Sequence, residues 1–208
     1  MGKYEGMSSE YLRETYIPDV YQPTIHAIDY SRLREAGITF LSFDVDDTIA
    51  PLEKLGPDKD AVLLFETLKA KGFTVVLLTN ASAARAAEFA GRLGIPGQYI
   101  ARAEKPLTKN FEELQKRFGV EKGQMAHVGN NIKADVASGN VFGVTTCLVR
   151  NIGILQNALD IVSRGRKEGH GLREELRERG LWRKHHLYER GDQYYQLGET
   201  PAYRKREE

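Results

Sequence analysis

Cysteine is almost missing from this chain. Of 208 residues only Cys147 carries a thiol, which excludes an internal disulfide framework. An excess of one charge is missing too. The 30 basic and 29 acidic residues leave a formal net charge of +1, so no global field recruits nucleic acid, and no nucleic-acid partner is expected. No stretch approaches the roughly 18 apolar residues that a membrane-spanning helix needs. The opening Met-Gly-Lys-Tyr-Glu-Gly lacks the apolar segment of a secretory signal, and Gly6 stands where a myristoylation motif wants Ser or Thr. A soluble, cytoplasmic protein without a transmembrane segment is the expectation. What remains is ordinary: a hydrophobic content of 41%, enough for one sizeable core. Within the apolar stretch 144–149, Cys147 reads as a small buried core residue.

Residues 38–149 alternate two kinds of segment. Short apolar runs of strand length occupy 38–44, 73–78, 98–101, 124–128 and 144–149. Helix-like stretches lie between them, each with an end signal. Asp58 caps 59–71 and Gly72 closes it; Ser82 precedes 83–93, which Gly94 and Pro96 stop; 108–118 ends at Gly119 and 132–138 at Gly139. Strands alternating with helices predict an α/β fold, a central parallel sheet covered on both faces. Ligands of such sheets bind beyond the carboxyl ends of the strands, which is where Asp44, Thr79 and Gly129 fall. The flanks differ from this core. Residues 1–37 read as a polar, Tyr-rich N-terminal extension, and 156–208 as a charged C-terminal tail. The tail is expected to be a partly ordered, solvated segment, although Leu172 and Leu176 share a helical face. Its sharper alternative is a lid or docking arm built on Trp182, Tyr188, Tyr194 and Tyr195.

Four segments in fixed order carry chemistry: Phe43-Asp44-Val45-Asp46-Asp47-Thr48, Leu77-Leu78-Thr79-Asn80, Lys105-Pro106, and Gly129-Asn130-Asn131 with Asp135. In an extended chain Asp44 and Asp46 leave on one face. One carboxylate could attack phosphorus while the other hands a proton to, and takes one from, the exchanging oxygen. Splitting phosphate-ester hydrolysis through a covalent aspartyl phosphate makes each half easier. Lys105, Thr79 and a Mg²⁺ ion could supply the positive charge and donors that the equatorial oxygens need. Taken singly, each segment is an acid-rich turn, a polar strand end or a helix cap. A calcium loop, which also opens D-x-D, would need further oxygen ligands where Ile49, Ala50 and Pro51 stand. The ordered set is the specific signal.

That set resembles the haloacid dehalogenase (HAD) superfamily of phosphatases, whose motifs are D-x-D-x-T, a strand-end Ser or Thr, a Lys and an acidic pair. The resemblance runs from about Pro18 to Val149 and extends to Asn80, Leu93-Gly94-Ile95-Pro96 and Gly139-Asn140. It is nearest the capless, YqeG-like group of subclass IIIA, similar to mitochondrial phosphatidylglycerophosphatases. The resemblance implies a three-layer, Rossmann-like core over 38–155 and a Mg²⁺-dependent phosphatase. It implies Asp44 as nucleophile and metal ligand, and Asp46 as general acid/base with its main-chain carbonyl on the metal. Thr48 would steady the turn, Thr79, Asn80 and Lys105 would bind the phosphoryl group, and Asn130 and Asp135 would complete the metal site. Asp47 occupies a variable position and receives no role.

Neither the stretch 49–57 nor the one between Thr79 and Lys105 has room for a cap domain, so the resemblance implies an open site. The substrate would be a phosphorylated small molecule or a phospholipid head group, phosphatidylglycerophosphate among the large, exposed esters; a homo-oligomer is compatible with this. The departure is Asn130, where the family has Asp. One charge pair at about 4 Å and an effective dielectric near 20 amounts to roughly 4 kcal/mol before desolvation. Weaker Mg²⁺ binding is expected, and a catalytically weakened domain acting as a binding or regulatory module is the alternative. His127 reads as a satisfied core or supporting group. His170 with His185 and His186 lacks the spacing of a metal site.

Overall fold

The apolar runs become strands because each is buried on both sides, as parallel strands flanked by helices must be. The computed structural model describes Tyr4 and residues 6–153, 170–183 and 192–199. It contains one sheet of six parallel strands in the order β1-β6-β5-β2-β3-β4. These are β1 (Val20–Gln22), β2 (Phe40–Phe43), β3 (Thr74–Leu78), β4 (Tyr99–Ile100), β5 (Met125–Gly129) and β6 (Thr145–Val149). The helices are α1 (Ser9–Tyr16), α2 (Tyr30–Glu35), α3 (Lys59–Ala70), α4 (Ala83–Arg92), α5 (Lys109–Phe118), α6 (Ala137–Phe142) and α7 (His170–Glu178), with a π-helical turn over Ile132–Val136.

Period-two alternation divides the strands between two faces. Leu41, Phe43, Val75, Leu77, Ala126 and Val128 join one cluster with Phe65 and Leu68 of α3 and Phe89 of α4. Phe40, Val76, Leu78 and Met125 join the opposite one with Phe111 and Leu114 of α5. This gives three layers. Three expected end signals operate: Asp58 Oδ1 accepts from Ala61 N at 2.8 Å, Ser82 Oγ accepts from Arg85 N at 3.3 Å, and Gly119 closes α5 at φ +61°. Gly139 does not end its helix as expected; α6 runs through it to Phe142 and closes at Gly143, φ +97°. Among the described residues no insertion forms a cap on the sheet. Burial also pushes the Cys147 thiol up, the state of an inert core cysteine.

Both flanks differ from their sequence reading. The N-terminal segment supplies β1, a sixth strand beyond the five expected. Its partner is β6, in the register Val20↔Cys147. Asp19 Oδ2 accepts from Thr146 N at 2.9 Å, and Asn140 Nδ2 donates to Thr15 O and Ile17 O at 3.1 and 2.9 Å. Beyond β1, Tyr21 and Tyr195 exchange two main-chain hydrogen bonds of 2.9 Å, so the tail covers an edge that would otherwise expose unpaired backbone groups. Leu172, Leu176, Leu181, Trp182 and Tyr195 pack with Tyr4, Leu12, Tyr21 and Leu148 in a third cluster. The described parts of the tail are therefore integral to the fold rather than solvated. The driving force is the apolar face that Leu172 and Leu176 make on α7. Tyr188, His185 and His186 lie outside the described residues.

Leu176 is 0% exposed, so Leu176→Ala should cost about 2–5 kcal/mol in urea unfolding. A solvated tail would leave the unfolding midpoint unchanged.

Candidate active site

Register brings the strand ends of the site together. Phe43 lies opposite both Leu77 and Val128, so Asp44 and Gly129, one residue on, and Thr79, two residues on, emerge at the carboxyl ends of three adjacent strands. Asp44 N–H extends the ladder by one bond, to Val128 O at 2.8 Å. The chain order reverses here, with β3 on one side of β2 and β5 on the other, which is the crevice where open α/β sheets bind ligands.

Lys105 enters the crevice from the loop between β4 and α5. Asn80 Oδ1 accepts from Lys105 N at 2.9 Å, and Asn80 Nδ2 donates to Lys105 O at 3.5 Å. Asn80, read from sequence as a phosphoryl contact, thus grips the lysine main chain in this structure. Lys105 Nζ donates to Asp44 Oδ1 at 2.8 Å, Asp135 Oδ1 at 2.5 Å and Leu78 O at 2.9 Å, which uses all three ammonium protons. Burial opposes its charge, but Asp135 and Asp44 outweigh that and raise its pKa above the usual lysine value.

The two carboxylates differ. Burial holds Asp44 above the ordinary carboxylate range, a push that Lys105 only partly offsets and Asp135 reinforces. Its other oxygen accepts a long bond, 3.3 Å, from Thr48 Oγ1. Burial acts on Asp135 too, but the Lys105 charge and the His127 hydrogen bond prevail and hold it well below that range. Asp135 Oδ1 also meets His127 Nε2 at 3.2 Å, and Oδ2 accepts from Asn131 N at 2.9 Å. His127 Nδ1 is 2.9 Å from Ser42 Oγ, so this buried histidine supports Asp135 from behind. The carboxylate lies so close to the turn that a Cβ on Gly129 would come within 2.2 Å of Asp135 Cγ. Only glycine fits there.

Thr79 is buried, its Oγ1 accepting from Ala81 N at 3.2 Å. Asp47 adopts φ +58°, and its Oδ1 accepts from Leu52 N at 2.9 Å, which staples the turn after β2. Half-buried Asn130 stands at the end of β5, and its amide bonds to none of the described residues. Asp46 points to the mouth, where Arg85 Nε donates to its Oδ1 at 2.6 Å. The sequence reading missed Arg85. It lies 39 residues from Asp46, and an arginine in the first turn of an alanine-rich helix gives no local signal.

Among the described residues no three His, Cys, Asp or Glu side chains cluster as metal ligands. The site nonetheless fits a hard divalent cation. Asp44 and Asp135 put two carboxylates against one ammonium, leaving a net negative charge, and the main-chain carbonyl of Asp46 and the amide oxygen of Asn130 would be the cation's neutral oxygens on the sequence reading. Mg²⁺ is commonly held by one or two carboxylates and keeps several waters.

The chain is 28% identical over 138 residues to a Bacillus subtilis protein named probable phosphatase YqeG, covering 66% of this chain and 79% of that one. It is 29% identical over 143 residues to the chloroplastic phosphatidylglycerophosphate phosphatase 1 of Chlamydomonas reinhardtii, covering 64% of this chain but only 52% of the algal enzyme. Among solved structures, the 3-deoxy-D-manno-octulosonate 8-phosphate phosphatase of Moraxella catarrhalis, in complex with magnesium, phosphate and KDO, superposes with a TM-score of 0.44 at 15% identity, over 65% of this chain and 92% of that one. A family model described as haloacid dehalogenase-like hydrolase matches residues 5–143, two thirds of the molecule, and the chain belongs to that family.

Proposed function

We propose that the protein is a Mg²⁺-dependent phosphomonoesterase that works through an aspartyl phosphate on Asp44. The observation that carries this reading is Lys105 Nζ held between Asp44 and Asp135 in the crevice at the strand ends. Of the two carboxylates on Lys105, Asp44 is the less satisfied by donors and so the freer to attack. Lys105 meets the charge of the transferring group, and Thr79 offers a hydroxyl beside it. Asp46, two residues on, gives a proton to the departing alkoxide and then takes one from the water that hydrolyses the acyl phosphate. Asp44, Asp135, Asn130 and the Asp46 carbonyl would hold the cation, which neutralises phosphoryl oxygens when bound.

The mouth supports a substrate class. Without a cap, the rim is set by the loops after β2 and β4, where Leu55 is 83%, Leu107 53% and Leu52 50% exposed. An apolar, open rim suits an ester presented on a large or lipid body. The name of the algal relative supports phosphatidylglycerophosphate as the first such ester to assay. Asn130 favours a second reading, a weakened domain that binds without turnover; phosphate release over a panel of soluble and lipid esters separates the two.

Phosphate release should vanish with EDTA, return with Mg²⁺, and fall by about 10³-fold or more in Asp44→Asn; retained activity in that variant refutes the nucleophile. The same substitution should stabilise the metal-free protein by about 1 kcal/mol, a few degrees in Tm for a chain of this size. The sign follows from the raised pKa of Asp44. A group easier to protonate when folded loses stability as pH rises through its unfolded pKa, near 4, so the gain should be larger at pH 7 than at pH 4. Asn130→Asp should lower the Mg²⁺ concentration for half-maximal activity by about tenfold; an unchanged requirement removes Asn130 from the metal site.

A further inference from the structure

The pair at the mouth, Arg85 with Asp46, lies outside the network of Lys105. Arg85 sits in the first turn of α4, where Ser82 caps its N–H. Three contacts fix its side chain. Nε donates to Asp46 Oδ1 at 2.6 Å, Nη1 donates to Lys54 O at 2.7 Å, and the guanidinium carbon lies 4.8 Å from the centroid of the buried Phe89 ring. Nη2 is buried without a partner among the described residues. The cation is thus seated by α4 and by the loop after β2 together, and its freedom to follow a moving carboxylate is small.

Asp46 is held by much less. Its side chain is 27% exposed, and the Arg85 bond to Oδ1 is its one side-chain hydrogen bond to a described residue. Oδ2 remains free. An aspartate at a solvent-facing turn samples several rotamers, and one strong, charge-assisted bond to a fixed donor selects among them.

We infer that Arg85 is a positioning residue for the proton transfers of Asp46, and that it sets how well the enzyme cleaves esters with poor leaving groups. This rests on the phosphomonoesterase reading. In the first half-reaction an Asp44 oxygen bonds phosphorus as the ester P–O bond breaks, and the proton on Asp46 Oδ2 passes to the departing oxygen to give the alcohol. In the second, water attacks phosphorus, the Asp44 O–P bond breaks, and Asp46 takes the water proton, so that inorganic phosphate leaves and both acids are restored. Arg85 touches no reacting atom. By occupying Oδ1 it leaves Oδ2 as the oxygen that carries the proton, at a fixed place. A nitrophenolate departs without a proton, whereas an alkoxide does not, so the demand on Asp46 grows with the basicity of the leaving group.

The test is a leaving-group series of p-nitrophenyl, phenyl and alkyl phosphates assayed by phosphate release with the full chain and Mg²⁺. For Arg85→Gln, kcat/KM should fall roughly 10–100-fold on the alkyl ester and less than about threefold on p-nitrophenyl phosphate, with the alkyl loss mainly in kcat. Arg85→Lys, which keeps the charge but not the fork, should recover part of the alkyl loss. It also answers the question if the Gln variant does not fold, since a deficit confined to the alkyl ester is expected of it too. Asp46→Asn, run in parallel, should show the same selectivity more steeply. Equal losses on all esters in the Arg85 variants, with Asp46→Asn still selective, would assign Arg85 to loop structure and overturn the inference while sparing the acid/base reading. A flat Asp46→Asn series would overturn both.

Discussion

The site depends on one ammonium group between two buried carboxylates. Asp44, at the end of β2, and Asp135, in the π-helical turn after β5, meet in a crevice where both are buried and like charges repel. Lys105 joins them at 2.8 and 2.5 Å and gives its third proton to Leu78 O. Taking the ammonium out of such an arrangement leaves two buried carboxylates uncompensated, a loss of about 3–5 kcal/mol. Much of the nearby architecture fixes where that nitrogen sits. Asn80, directly after Thr79, holds the lysine main chain at both amide and carbonyl, so the end of β3 sets the reach of a side chain that comes from beyond β4.

The ammonium does not serve the two acids equally. Asp135 also accepts from His127 and Asn131, and these donors keep it ionised and still. Asp44 has the lysine and a long bond from Thr48, too little to offset its burial, and its pKa moves the other way. The same desolvation therefore makes one carboxylate a fixture and leaves the other under-satisfied. An under-satisfied buried anion is destabilising in a resting protein and useful in a nucleophile, the usual conflict between stability and activity.

Much of this was legible in the sequence, for a physical reason. Parallel strands buried on both faces read as continuous apolar runs, and the stretches around 40–43, 74–78, 125–129 and 145–149 announce themselves with a turn signal at each end. The chemistry falls where those runs stop. What escaped was set by contacts distant in sequence. Val20–Gln22 is too short and too close to Pro18 and Pro23 to read as a strand; Thr146 and Asn140 position the chain leading into it, and Tyr195 covers its edge. Leu172 and Leu176 showed an apolar face, but nothing local says that Leu12, Tyr21 and Leu148 receive it. The bond of Arg85 to Asp46 likewise depends on where α4 docks, which no window of sequence contains.

Asn130 takes on a different character once the cluster is counted as a whole. With Asp135 and Asp44 charged and Lys105 protonated, the floor of the crevice carries about one net negative charge; an acid at 130 would make it two. In a low-dielectric crevice the second charge raises the energy of the empty state as well as the affinity for a cation, because the repulsion that a metal relieves is present only while the metal is away. An amide at that position keeps an oxygen for the cation and removes the repulsion. On the proposed reading, the exchange of Asp for Asn shifts the site toward a cluster that tolerates being empty and fills in response to cation concentration. The nucleophile, the lysine and the mouth pair are left as they were.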